Sequence, residues 1–121
     1  MKILSPKIHG FIDYASVVGL LLAPTLLGLQ SVGAMLAYAL AAIHLTMTIL
    51  TAFPLGLMKI IPLSIHGMVE LAVGIALVVV SFATGNLLPW GPHGQLFVAS
   101  FGLVLLLVWL VTDYGGRTAN P

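Results

Sequence analysis

Four long apolar runs leave this chain little choice of solvent. They cover about residues 8–27, 32–53, 65–84 and 96–112, and inside them only Asp13 and Glu70 carry a formal charge. A helix needs about 20 mostly apolar residues to cross the hydrocarbon core of a bilayer. Of the 121 residues, 60% are hydrophobic and 6% charged, against about 25% charged in soluble domains. Four basic and three acidic side chains cannot clothe a water-soluble surface of this size. Apolar side chains must therefore face lipid. The expected fold is an all-α membrane protein, a single domain over residues 1–121 with four transmembrane helices.

Local punctuation agrees with these limits. Ser5-Pro6 reads as an N-cap followed by proline in the first turn. Gly28 and Gly85 are expected to end the first and third helices, Pro54 and Gly56 the second, and Gly115-Gly116 the fourth. Pro24 lies one turn before the end of the first helix and should bend it. Short connections make neighbouring helices antiparallel. Lys2 and Lys7 before an apolar stretch imitate a signal peptide. His9 and Asp13 inside that stretch, and its repetition later in the chain, argue instead for a retained helix.

Charge gives an orientation. Lys2, Lys7, Lys59 and Arg117 all fall on one side, while Gln30-Ser31 and residues 86–94 contain no lysine or arginine. The positive-inside bias predicts a cytoplasmic N-terminus, middle loop and C-terminus. Trp90, Tyr14 and Tyr114 fall near the helix ends, as interfacial anchors or packing residues. The net charge of +1, spread over isolated cations, excludes nucleic acid as a partner. The absence of cysteine excludes disulfides, thiolate metal sites and thiol catalysis.

The chain also repeats itself. Shifted by 57 residues, Ile8-His9-Gly10 falls on Ile65-His66-Gly67, Asp13 on Glu70 and Gly28 on Gly85. A slightly longer shift places Thr51 on Thr112 and Phe53 on Tyr114. These matches include the rare polar residues of apolar helices, which coincide by chance less readily than leucines do. The pattern predicts two parallel-related helical hairpins, about residues 5–56 and 62–116, around a pseudo-two-fold axis along the membrane normal. The segment Gly-Leu-Leu-Leu-Ala-Pro-Thr-Leu-Leu-Gly, from Gly19 to Gly28, followed by a second apolar helix and a copy of the pair, resembles the SPW-repeat family. That resemblance implies a small multi-pass protein of the prokaryotic cytoplasmic membrane. It brings no activity or site residue.

Ionisable residues in membrane helices are costly and point inward by default. His9 and Asp13 are four apart, as are His66 and Glu70, so each copy presents an imidazole and a carboxylate on one helix face. In the second helix, Ala34, Ala37, Ala41, His44, Thr48 and Thr51 recur at steps of three and four. That is a stripe of small and polar side chains suited to helix contact. Counted from Phe53, His44 lies roughly 13 Å deep, and Asp13 lies roughly 12 Å from Ser5, at 1.5 Å per residue. His9, Asp13, His44, His66 and Glu70 can therefore meet as a metal or proton site, with Thr48 and Thr51 in support.

Imidazole with carboxylate suits transition metals, and helical bundles build such sites from facing residues. The plainer alternative is that each histidine neutralises its own acid or is solvated near the headgroups, and that His44 is satisfied by Thr48 or a carbonyl. Ala15-Gly19-Ala23 reads as a close-packing stripe, His93 as a loop residue, and Asp113 with Arg117 as a surface ion pair. Three functions fit: a cation-binding or cation-conducting protein, a bis-histidine haem carrier, or an accessory subunit whose polar cluster fixes helix register. Four helices make a thin conduit, so conduction implies a homodimer. No nucleophile–base pair or phosphate loop is present, which argues against an enzyme.

Overall fold

The computed structural model describes residues 2–115. Among these residues are four helices: α1 (Pro6–Leu26), α2 (Ser31–Leu50), α3 (Leu63–Ala83) and α4 (Gly94–Val111). All four are long and apolar enough to cross a membrane. α1 packs on α2 and α3 on α4, giving two helical hairpins, and α2 contacts α4 across them. Large apolar side chains such as Phe11, Leu22, Met35, Val79 and Leu107 remain exposed, the outward surface expected where lipid replaces water as solvent.

Local chemistry fixes the ends. Ser5 Oγ accepts from the Ile8 amide, and Pro6 occupies the first turn, where a missing N–H costs nothing. α1 closes with Gly28 at φ 63° and a Leu29 N–H···O=C Pro24 bond of 2.9 Å. This is a Schellman closure, and it turns Leu29 onto Ala23 and Ala37 in the core. At the crossing of α2 and α4, a Cβ on Gly33 would lie 2.8 Å from Gly94 Cα. At the crossing of α3 and α4, a Cβ on Gly102 would lie 2.9 Å from Gly74 O. Small residues here let membrane helices approach backbone to backbone.

The two copies clasp each other at one end. After α2 the chain runs extended as β1 (Thr51–Ala52), pairing in parallel with β2 (Ile61–Pro62), which leads into α3. After α4, Thr112 bridges in parallel to Leu4, just before α1. Leu4 is the repeat counterpart of Ile61, and Thr112 of Thr51. Each hairpin thus enters beside the exit of the other, as a pseudo-two-fold requires.

Several sequence expectations are corrected. α2 stops at Leu50, before Pro54 and Gly56, because Thr51 turns extended and pairs with Ile61. Gly56 serves the loop instead: a Cβ there would collide with Thr51 O. Gly85 is not left-handed, and α3 is closed by Thr84, whose hydroxyl and amide both bond Val80 O. Ala15 and Gly19 are exposed, and among the described residues no other part of the chain lies within 4 Å of where a Gly19 Cβ would be. The inward face of α1 runs through Asp13, Val17 and Leu20, so Ala15-Gly19-Ala23 is not a packing stripe within the chain. Trp90 is buried, with its indole N–H on Thr84, and takes the packing role of its two readings. Asp113 is also buried, with its amide on Leu4 O, and so does not lie at the surface. Gly116 and Arg117, to which expectations were attached, lie outside the described residues.

Candidate metal centre

The four ionisable residues of α1 and α3 converge. His9, Asp13, His66 and Glu70 are all buried, each offering a ligand atom within 4.8 Å of the others. His9 Nε2 lies 3.3 Å from Asp13 Oδ1 and 3.2 Å from Glu70 Oε2. His66 Nε2 lies 3.2 Å from Asp13 Oδ2 and 3.4 Å from Glu70 Oε1. Each carboxylate therefore turns one oxygen to each histidine, and the exchange of His9 for His66 and Asp13 for Glu70 leaves the pattern unchanged. The imidazoles meet edge to face, with centroids 5.4 Å apart.

Two threonines set the histidine tautomers. Thr112 Oγ1 donates to Val108 O at 2.6 Å and lies 2.8 Å from His9 Nδ1. Thr51 Oγ1 donates to Met47 O at 2.6 Å and lies 2.6 Å from His66 Nδ1. A hydroxyl has one proton. Once that proton is committed to the carbonyl, the oxygen can only accept, so both Nδ1 atoms donate. In the neutral rings Nε2 then presents its lone pair to the carboxylates. This is the tautomer a metal-ligating histidine holds when its other nitrogen is anchored. Thr51 thus acts on His66, across the repeat boundary.

The aromatic lid explains the glycine after each histidine. A Cβ on Gly10 would lie 2.8 Å from the Phe53 ring, and one on Gly67 2.7 Å from the Tyr114 ring. The two rings close equivalent positions over the cluster. Tyr114 adds a hydroxyl that donates to Glu70 Oε2 at 2.9 Å. Burial and the adjacent Glu70 carboxylate push the Tyr114 phenol above the ordinary tyrosine range. Tyr14 bonds the Leu55 carbonyl at 2.9 Å, tying α1 to the loop that carries Phe53.

His44 joins from α2, with Nε2 3.5 Å from Asp13 Oδ1. It lies six residues before the end of α2, roughly 9 Å deep rather than 13 Å. Its repeat counterpart is Leu105, so His44 is a departure from the two-fold. Thr48 is fully buried, but its proton goes to the His44 carbonyl at 2.7 Å, in preference to Asp13 Oδ2 at 3.5 Å. Its contribution is to hold α2, not to supply a ligand. The structure brings all seven sequence-selected residues to one region. Thr112 and Tyr114 were not selected for it, although both stood out as repeat matches of Thr51 and Phe53.

A haem does not suit this geometry. Axial histidines face one another across a porphyrin, whereas here carboxylate oxygens lie within 3.2–3.4 Å of the Nε2 atoms of both His9 and His66. No family model, curated protein or solved structure matches the chain. The SPW-repeat likeness consequently stands on its sequence segment alone.

Proposed function

We propose that the protein is a cation-binding protein of the membrane, holding one divalent transition metal ion among His9, Asp13, His66 and Glu70. One observation carries this reading. Among the described residues, His9 Nε2, His66 Nε2 and Glu70 Oε1 are buried without a hydrogen bond, while their neighbours stand 3.2–3.4 Å away. Imidazolium–carboxylate pairs holding only each other close to about 2.7–2.9 Å. The four residues offer one ligand atom each within 4.8 Å of the others, a cage that a small inward movement of the side chains would bring to the bonds of about 2.0–2.1 Å that zinc makes with nitrogen and oxygen. Two imidazoles and two carboxylates also suit iron, manganese and nickel.

The ion would compensate two carboxylates in a low-dielectric interior, where unpaired charge is most costly. Thr51 and Thr112 would orient the imidazoles, Tyr114 would hold Glu70, and His44 would stand beside Asp13. The cation-rich face is read as cytoplasmic, which puts the aromatic lid on that side. The SPW-repeat likeness agrees with this architecture and assigns no chemistry. Conduction through so thin a bundle would require a second copy of the chain.

The test is calorimetric titration of detergent-purified wild type and Glu70→Gln with zinc, nickel and manganese. Wild type should bind at least one of them one-to-one, and Glu70→Gln at least about tenfold more weakly, since even residues that only position a ligand change affinity 10–100-fold. Equal, negligible heats from both proteins would end the metal reading and leave the cluster a device for helix register.

A further inference from the structure

A cavity of about 30 Å³ adjoins the cluster on the side of His44. Its walls include Ile43 and Met47 of α2, Val73 of α3, and Phe101 and Leu105 of α4, and its polar lining residues are His44, His66 and Glu70. His44 Nε2, His66 Nε2 and Glu70 Oε1 are buried and have no hydrogen-bond partner among the described residues. The exposures of these residues are 9%, 0% and 4%, so bulk solvent does not satisfy them.

Apolar cavities of this size stay dry, but a polar one with two to four partners holds water in as little as about 10–15 Å³. This cavity has that many partners and about twice that volume. It also departs from the two-fold: His44 occurs in α2, where α4 carries Leu105. A purely structural metal site is closed by its protein ligands, whereas a reactive one keeps a position open.

We propose that the cavity is an open coordination position of the metal centre, where a small exogenous ligand of one to three atoms binds the ion and is held by His44. Water occupies it at rest. The apolar walls admit uncharged molecules dissolved in the bilayer in preference to hydrated ions, which would lose their water without replacement. His44 is thus a positioning residue for the exogenous ligand and not one of the metal's four protein ligands. This assignment rests on the metal reading above.

The experiment uses the iron(II)-loaded, detergent-purified protein with nitric oxide, an uncharged diatomic. Iron–nitrosyl formation is followed by electron paramagnetic resonance in wild type, His44→Leu and Leu105→Phe. Wild type should form the adduct. Leu105→Phe, which fills the cavity and replaces no ligand, should lose it at equal iron content. His44→Leu should bind nitric oxide about fivefold more weakly, the worth of one hydrogen bond. Iron(II) uptake within about threefold of wild type in both variants is expected, since the four ligands remain. Absence of iron uptake by wild type, with zinc, nickel and manganese also failing, overturns both the metal reading and this one. Iron uptake without a nitrosyl signal in wild type overturns the open position alone. So does an adduct of equal strength in all three proteins.

Discussion

His9 Nδ1 and the Thr112 hydroxyl lie 2.8 Å apart although 103 residues separate them in sequence. Because Thr112 commits its proton to Val108 O, the contact dictates which nitrogen of His9 bears hydrogen and which faces the carboxylates. His66 and Thr51 repeat the arrangement at 2.6 Å.

Breaking that contact should disorient the imidazole without removing a ligand. Thr112→Val keeps the side-chain shape and deletes the oxygen. Metal affinity is expected to fall about 10–100-fold, the usual cost of losing an outer hydrogen bond to a ligating histidine. Thr112→Ser should retain most of it. Titration calorimetry of the two variants makes the comparison, and equal affinities in Thr112→Val and wild type would remove Thr112 from the site.

The glycine after each histidine should be intolerant of a methyl group. Gly67→Ala would force a Cβ to 2.7 Å from the Tyr114 ring, displacing its hydroxyl from Glu70. A loss of about 1–3 kcal/mol is expected, in the range for overpacking. Tyr114→Phe should lose only the hydrogen bond, about 1 kcal/mol or somewhat more because the acceptor is charged. Thermal unfolding in detergent gives the ranking, and a Gly67→Ala protein as stable as wild type would contradict the tight lid.

Protons and metal compete for the same Nε2 lone pairs. Metal affinity should therefore fall as pH falls through the imidazole range, because protonated histidine cannot coordinate. Above that range the dependence should flatten. The check is zinc titration at several pH values, and an affinity that rises on acidification would be inconsistent with imidazole ligation.

Orientation is tested from outside the cell. Single cysteines at Ser31 and His93 should react with an impermeant thiol reagent added to intact cells, and one at Lys59 should not. The basis is the grouping of Lys2, Lys7 and Lys59 at the clasped end of the bundle. Labelling at Lys59 with none at Ser31 would invert the assignment.

The sequence by itself determined the solvent, the four spans and the doubling of the hairpin. Hydrophobic length decides what a bilayer will accept, and the four-residue spacing of His9–Asp13 and His66–Glu70 fixes a shared face through helix geometry alone. The inward stripe from Ala37 to Thr51 was legible for the same reason. Only the tertiary structure decided the helix ends near Thr51 and Gly85. There the β1–β2 pairing, and the bonds from Gln95 to Ser81 O and from Trp90 to Thr84 O, override local glycine and proline signals. The exposure of Ala15 and Gly19 was likewise illegible, because small residues promise close packing only if a partner helix lies on that face. The crossing of partners at the site was equally beyond sequence. Thr112 orients His9 and Thr51 orients His66, so each copy of the repeat completes the other's histidine. That exchange depends on how two hairpins dock around an axis, a long-range packing choice that no local spacing encodes.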